Sequence, residues 1–182
     1  MAYEIEIETK ILDIEAGETE RSLVKLGARL IKETTLRVDW YRPKGIGEGE
    51  DPWFLRIRSD DEGKCRVTWK AKSDILGVAR KHKEIDFAIA EPEKMADLFK
   101  ELGLEFYAHQ DKKRKSFALN DWIFEIDQYP QMPPFLEVEG VSEGEVKKAI
   151  ALLGLEHNRT WARGERILIQ EIYGLDWYDM RF

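Results

Sequence analysis

Tyr3-Glu4-Ile5-Glu6-Ile7-Glu8-Thr9-Lys10 alternates apolar and charged side chains almost without a break. Successive side chains of a strand point to opposite faces, so Glu4, Glu6, Glu8 and Lys10 share one face and Tyr3, Ile5 and Ile7 the other. The alternation recurs down the chain. Trp53, Leu55 and Ile57 oppose Arg56 and Arg58; Cys65, Val67, Trp69 and Ala71 oppose Lys64, Arg66, Thr68, Lys70 and Lys72; Ile85, Phe87 and Ile89 oppose His82, Glu84 and Asp86. Phe117 and Leu119 oppose Arg114 and Ser116, Trp122, Phe124 and Ile126 oppose Glu125 and Asp127, and Leu136 and Val138 oppose Glu137 and Glu139. With Leu36 to Tyr41, where Asp39 and Tyr41 oppose Val38 and Trp40, eight strands are expected.

Three helices are legible at Glu18 to Leu26, Pro92 to Leu102 and Glu143 to Leu153, each with apolar residues three and four apart and each followed by a glycine. Ser142 is positioned to cap the third, with Glu145 three residues on. A fourth is expected from about Arg163 to Tyr173, and Lys44 to Asp51 reads as an extended surface loop. The predicted class is α+β, a single domain over residues 1–182 with strands at about 3–140 and C-terminal helices at 142–174.

Composition narrows the setting. A chain of 182 residues, 43% hydrophobic and 11% aromatic, can bury a core without staples, and its single cysteine, Cys65, excludes an internal disulfide. An acidic start and the lack of a long apolar run point to a cytoplasmic protein with no membrane segment. The net charge of −7 argues against general nucleic-acid binding. The unusual quantity is 36% charged residues, well above the ordinary quarter.

The ordinary explanation for one such strand is an antiparallel sheet with a wet face. Here the charged faces carry runs of one sign, and like charges about 7 Å apart along a strand repel unless opposite charge lies between strands. Curling the sheet into a barrel puts these faces inside and the apolar faces outside under the helices. The inward set then holds Glu4, Glu6, Glu8, Glu84, Asp86, Glu125, Asp127, Glu137 and Glu139, with Asp39 as a further acid, against Lys10, Arg56, Arg58, Lys64, Arg66, Lys70, Lys72 and Arg114. Clustered carboxylates call for a hard divalent cation, Mg²⁺ or Mn²⁺, and clustered guanidinium groups for an anion such as phosphate. Both in one cavity point to a metal–polyphosphate ligand. No glycine-rich phosphate loop and no zinc-type His/Cys cluster is present; His82, His109 and His157 read as isolated.

These residues resemble a known family. Glu6-Ile7-Glu8-Thr9-Lys10 is similar to the ExExK motif of the CYTH superfamily, the triphosphate tunnel metalloenzymes that include class IV adenylate cyclases and thiamine-triphosphatase-like enzymes. Arg56-Ile57-Arg58, Lys70-Ala71-Lys72, Glu84-Ile85-Asp86, Lys113-Arg114, Glu125-Ile126-Asp127 and Glu137-Val138-Glu139 follow in the family order, covering about Tyr3 to Leu155. The resemblance implies an eight-stranded antiparallel tunnel with helices outside. It implies metal binding by Glu6, Glu8, Glu137 and Glu139, with Glu125 and Asp127 as further ligands or water-orienting groups. Lys10, Arg56, Arg58, Lys70, Lys72 and Arg114 would clamp the phosphates, and Lys10, Glu84, Arg114 and Asp127 are the candidate catalytic groups. In the cyclase-like branch an arginine commonly stands where this chain has His82, so that phosphate contact is altered here.

The implied reaction is attack of water on a terminal phosphorus of inorganic or organic triphosphate, in a monomer or homodimer. Cyclisation of ATP to cyclic AMP and pyrophosphate needs the same tunnel. A non-catalytic polyphosphate- or nucleotide-binding module is the alternative of another class. Lys113 and Lys115 fall on the outer parity, and Trp161, Tyr173 and Trp177 read as packing.

Overall fold

A computed structural model describes residues 4–182; Tyr3, expected on the outer face of the first strand, lies outside the described residues. In chain order the elements are β1 (Glu4–Ile11), α1 (Ala16–Lys25), β2 (Arg29–Pro43), β3 (Trp53–Ser59), β4 (Cys65–Ala71), β5 (Asp74–Leu76) and β6 (Ala79–Ile89). They continue as α2 (Pro92–Glu101), β7 (Leu104–Leu119), β8 (Trp122–Gln128), β9 (Phe135–Glu139), α3 (Glu143–Leu152), β10 (Thr160–Trp161), α4 (Glu165–Tyr173) and β11 (Asp179–Met180). Strands β1, β9, β8, β7, β2, β3, β4 and β6 pair antiparallel in that order, and β6 returns to β1 from Glu4↔Glu84 to Glu8↔Arg80. The sheet therefore closes into the expected eight-stranded barrel. The short β5, β10 and β11 pair onto β6, β1 and β7 from outside the ring.

The apolar faces pack outward. Ile7, Phe117, Phe124, Ile126, Leu136 and Val138 meet Leu23 of α1 and Val146, Ala149 and Ile150 of α3. Tyr41, Leu55, Ile57 and Val67 meet Phe99 of α2. Each fully buried aromatic or aliphatic side chain contributes about 1.5–3 kcal/mol, so these two layers hold the barrel wall to its helices. The Ser142 side chain accepts from the Glu145 amide at 3.2 Å, starting α3 as expected. Gly174, at φ 64°, ends α4 in the left-handed conformation that a side chain would disfavour.

A third apolar cluster overturns part of the parity reading. Directly paired residues share a face, and Val38 pairs Arg58 while Trp40 pairs Arg56. Val38 and Trp40 therefore face inward, and Asp39, expected inside, faces outward with Tyr41. There Asp39 accepts from His109 Nδ1 at 2.6 Å, and the Tyr41 ring meets Phe99 with centroids 5.0 Å apart. The reason is what fills this end of the barrel. Leu168 and Ile169 of α4, with Trp177 and Met180, pack against Val38, Trp40 and Ala108. Apolar residues from the far C-terminus thus replace charge on the inner face of β2, and α4 caps the barrel instead of lying along its outside.

Candidate active site

A cavity of about 460 Å³ occupies the barrel. Its acid wall is Glu6, Glu84, Glu125, Glu137 and Glu139, brought together by register: Glu125 pairs Glu137 across β8 and β9, and Glu137 and Glu139 pair Lys10 and Glu8 of β1, of which Glu8 is 1% exposed and lies behind the lining. Facing it are Arg56 and Arg58 from β3, Lys70 from β4, Arg80 from β6 and Arg114 from β7, with the exposed Lys72 at the mouth.

Most of these charges are paired. Glu8 accepts from Arg80 Nε at 2.6 Å; Glu6 is held by Lys70 and by His82 Nε2 at 2.5 Å; Lys70 also reaches Glu84 at 2.7 Å. Burial pushes the carboxyls of Glu6 and Glu8 up, but Lys70 and His82 at the first, and Arg80 at the second, outweigh it and hold both well below the usual range. Arg58 donates to Asp86 at 2.9 Å. Arg114 donates from Nε to Asp127 at 2.6 Å and also meets Glu125.

Among the described residues, Arg56 and Glu139 lie in the cavity without an ion pair, as does the exposed Lys72, although the charge of Arg56 reaches Glu84 and Glu165 at longer range. Arg56 is 7% exposed, lies 5.3 Å from the Trp40 ring centroid, and has no ion-pair partner among the described residues. It also presses on its neighbour: burial and then Arg56 push the Arg58 guanidinium down to about 10. Glu139 likewise has no hydrogen bond or ion pair among the described residues, and burial followed by Glu6, Glu8, Glu125 and Glu137 pushes its carboxyl up to about 8. Burial also raises Glu84 and Glu125.

Several candidates sit differently from expectation. Lys10, expected to clamp phosphate, is fully enclosed, with Nζ 2.7 Å from Glu137 and 3.9 Å from Glu8, behind the cavity wall. Asp127, expected as a ligand, is also fully buried, and both its oxygens are engaged by Arg114 and by Lys112 Nζ at 2.8 Å. It is a fixed anchor for Arg114. His82 is no isolated histidine: it forms, with Glu6 and Glu84, a group whose ligand atoms lie within 4.8 Å of one another. His109 bridges Asp39 and Asp111. Lys113 and Lys115 do point outward, Lys115 to Glu20 of α1 at 2.9 Å.

Sequence reasoning passed over Arg80 and Lys112. Both share the inward parity of residues that were recognised, Arg80 with His82 and Glu84, Lys112 with Arg114, so the signal was present. Glu165 had no such signal. The first turn of α4 brings it to the cavity, where it accepts from Tyr129 Oη at 2.7 Å and Lys112 Nζ at 3.3 Å. Burial raises its carboxyl, but Lys112 and then Lys10 outweigh this and hold it well below the usual range. The loop at 44–51, expected as an extended surface loop, lines the cavity at Gly49 and Asp51, and Asp51 is 3% exposed and lies 3.3 Å from Arg166. Trp177 lines the cavity as well as packing on Trp40 at 5.4 Å, and its backbone carbonyl accepts from Gln110 at 2.6 Å.

Known proteins share this fold. The CYTH domain pattern matches residues 4–160. A Methanocaldococcus jannaschii protein provisionally named as an adenylate cyclase is 30% identical over 135 residues, which are 74% of this chain and 76% of that one. A Pyrococcus horikoshii structure superposes with TM-score 0.70 at 23% identity, covering 83% of this chain and 91% of the other. A Hippeastrum protein, provisionally an adenylyl cyclase and described as having a dominant triphosphatase activity, superposes with TM-score 0.66 at 14% identity over 92% and 95% of the two chains.

Proposed function

The chain belongs to the CYTH domain family, and from that premise we propose that it hydrolyses triphosphates, inorganic or organic, with the help of a divalent cation held in the tunnel. One observation carries the reading: a buried guanidinium with no ion pair among the described residues, Arg56, and a carboxyl that burial and the surrounding acids push up to about 8, Glu139, face one cavity. A guanidinium buried without an ion pair asks for an anion, and a carboxyl kept protonated by neighbouring carboxylates gives up its proton when a cation arrives. A polyphosphate answers Arg56 and a cation answers Glu139.

The donor set fits such a cation. Glu6, Glu8, Glu137 and Glu139 offer hard carboxylate oxygens from β1 and its neighbour β9, as Mg²⁺ or Mn²⁺ prefers, with Glu125 adjacent. When bound, the ion supplies Lewis-acid neutralisation of phosphate oxygens. The chain's own groups do the rest. Arg56, Arg58, Lys70 and Lys72 hold the phosphates, with Arg56 and Arg58 offering planar forks that match phosphate oxygens. Arg114, fixed by Asp127, which Lys112 holds in turn, neutralises charge growing on the leaving oxygen. Lys10 orients Glu137, and Glu84, paired to Lys70, stands beside Glu6 where an attacking water would be oriented.

Hydrolysis asks for water alone as the second reactant, whereas cyclisation also requires a seat for a ribose. The cyclase reading is favoured by the name of the Methanocaldococcus relative. Incubation with tripolyphosphate, thiamine triphosphate and ATP, each with Mg²⁺ or Mn²⁺ and with chelator, separates the two. Orthophosphate that disappears with chelator supports hydrolysis. Cyclic AMP with pyrophosphate sinks it in favour of the cyclase, and binding without turnover leaves a binding module.

A further inference from the structure

The carboxylates offered to the cation are not idle. Glu8 and Glu6 on β1 are occupied by bases from β4 and β6: Glu6 by Lys70 and His82, Glu8 by Arg80. The two arrangements differ. Lys70 is shared between Glu6 and Glu84, so it keeps a carboxylate whichever acid is withdrawn. The described contacts of Arg80 with acids are all to Glu8, and both Nε and Nη2 converge on its Oε1 instead of matching one nitrogen to each oxygen. That is the weaker geometry for a guanidinium–carboxylate pair. Glu8 is 1% exposed, with Arg80 its directly paired neighbour on one side and the partnerless Glu139 on the other. Arg80 lines the cavity.

A divalent cation shared by Glu8 and Glu139 would meet the Arg80 guanidinium at the same carboxylate. Two cations crowded at one buried acid repel strongly, so one must leave. A displaced Arg80 then stands in the cavity without an ion pair, a second guanidinium in the same lining as Arg56, with only the longer-range pull of Glu137 and Glu165. We infer that Arg80 is an exchange residue, holding the cation's place on Glu8 in the empty tunnel and turning to the phosphate chain when the tunnel loads. The inference rests on the functional reading above. Its consequence is that cation and polyphosphate bind with positive coupling: the anion draws Arg80 off Glu8 and so opens the cation's ligand, and the reverse follows by linkage. Arg80 is a positioning residue in the empty protein and a phosphate ligand in the loaded one.

The test measures binding without turnover. Mn²⁺ affinity is determined by electron paramagnetic resonance, with and without a methylene-bridged tripolyphosphate that cannot be hydrolysed. The proteins are the wild type, Arg80→Ala, Arg80→Lys and Arg58→Ala. Removing Arg80 takes away a charge-assisted contact that competes with the ion, so Arg80→Ala should bind Mn²⁺ alone about tenfold tighter or more, while binding the analogue more weakly. The gain in Mn²⁺ affinity that the analogue gives the wild type should shrink to match. Arg58→Ala removes the same charge from a guanidinium held by Asp86, and should shift Mn²⁺ affinity far less. Mn²⁺ affinity in Arg80→Ala equal to or below that of the wild type, or a gain no larger than that of Arg58→Ala, overturns the inference. Should Arg80→Ala not fold, Arg80→Lys decides: tighter Mn²⁺ binding with weaker coupling supports the exchange, and wild-type values refute it. A wild type that binds neither Mn²⁺ nor the analogue refutes the functional reading and this inference together. A wild type that binds both, with the Arg80→Ala result reversed, refutes the exchange alone.

Discussion

Replacing Arg56 by methionine should make the ligand-free protein more stable and the enzyme worse. The guanidinium is 7% exposed, has no ion-pair partner among the described residues, and sits close enough to Arg58 to help push that group's pKa down to about 10. Burying an unpaired charge costs several kcal/mol, which methionine of similar length would not incur. Opposing this, the longer-range attraction of Glu84 and Glu165 to Arg56 is lost, together with the contact with the Trp40 ring at 5.3 Å; such a cation–π contact is worth about 1–2 kcal/mol. The net expectation is a gain of about 1–2 kcal/mol, a rise in melting temperature of roughly 3–6 °C for a chain of this size. Against the ligand the sign reverses. Hydrogen bonds from a guanidinium to phosphate contribute about 1.5–3 kcal/mol, so tripolyphosphate affinity in the presence of Mg²⁺ should fall by about ten- to a hundredfold. Thermal melts without ligand and calorimetric titration with tripolyphosphate read the two quantities. The reasoning fails if Arg56→Met melts well below the wild type, which would mean that Arg56 is a satisfied structural residue. It fails equally if the affinity is unchanged, which would put the phosphates elsewhere.

Glu139→Gln leaves no base orphaned, since Glu139 has no ion pair among the described residues; it should retain the melting temperature yet lose metal-dependent turnover by about a hundredfold or more, the scale on which losing a metal-site group acts. Retained turnover would remove Glu139 from the cation site. Lys112→Met strips two buried carboxylates, Asp127 and Glu165, of a shared partner, and should destabilise by about 3–5 kcal/mol; a melt within a degree or two of wild type would contradict that. Glu165 has a folded-state pKa below its ordinary 4.5, so the folded state binds its proton less readily than the unfolded one. Its stabilisation is present above about pH 4.5 and drains as pH falls through that value. Hydrogen-exchange protection factors across residues 165–173, which remove the intrinsic pH dependence of exchange, should therefore fall on acidification in the wild type and be already low, and flatter with pH, in Glu165→Gln. Identical pH profiles would show that Glu165 does not seat α4.

Strand parity is a local property, and that is why so much of this molecule is legible in the chain. A period of two fixes which side chains share a face whatever the strand pairs with, so Glu6 with Glu8, Arg56 with Arg58 and Glu137 with Glu139 are grouped before any fold is known. Like-charge runs then require closure, because a flat sheet leaves them facing nothing. The same parity covers Arg80 and Lys112, which share the faces of His82 and of Arg114 but lie outside the charged i, i+2 motifs that carry the family resemblance. Parity fails at Leu36 to Tyr41, where both faces carry an aromatic and pattern alone cannot say which looks inward.

What the chain by itself determined is the chemistry of each face and, through it, a charged barrel suited to a metal and a polyphosphate. Only the tertiary structure decided how those charges are spent. Asp39 turns outward because Leu168, Ile169 and Trp177, more than a hundred residues on, fill that end of the barrel. Glu8 meets Arg80, and Asp127 meets Lys112 and Arg114, through cross-strand register, which periodicity does not encode. Arg56 and Glu139 carry the functional reading because their neighbours found partners and they did not, and whether a charge is paired depends on closure and packing across the whole barrel.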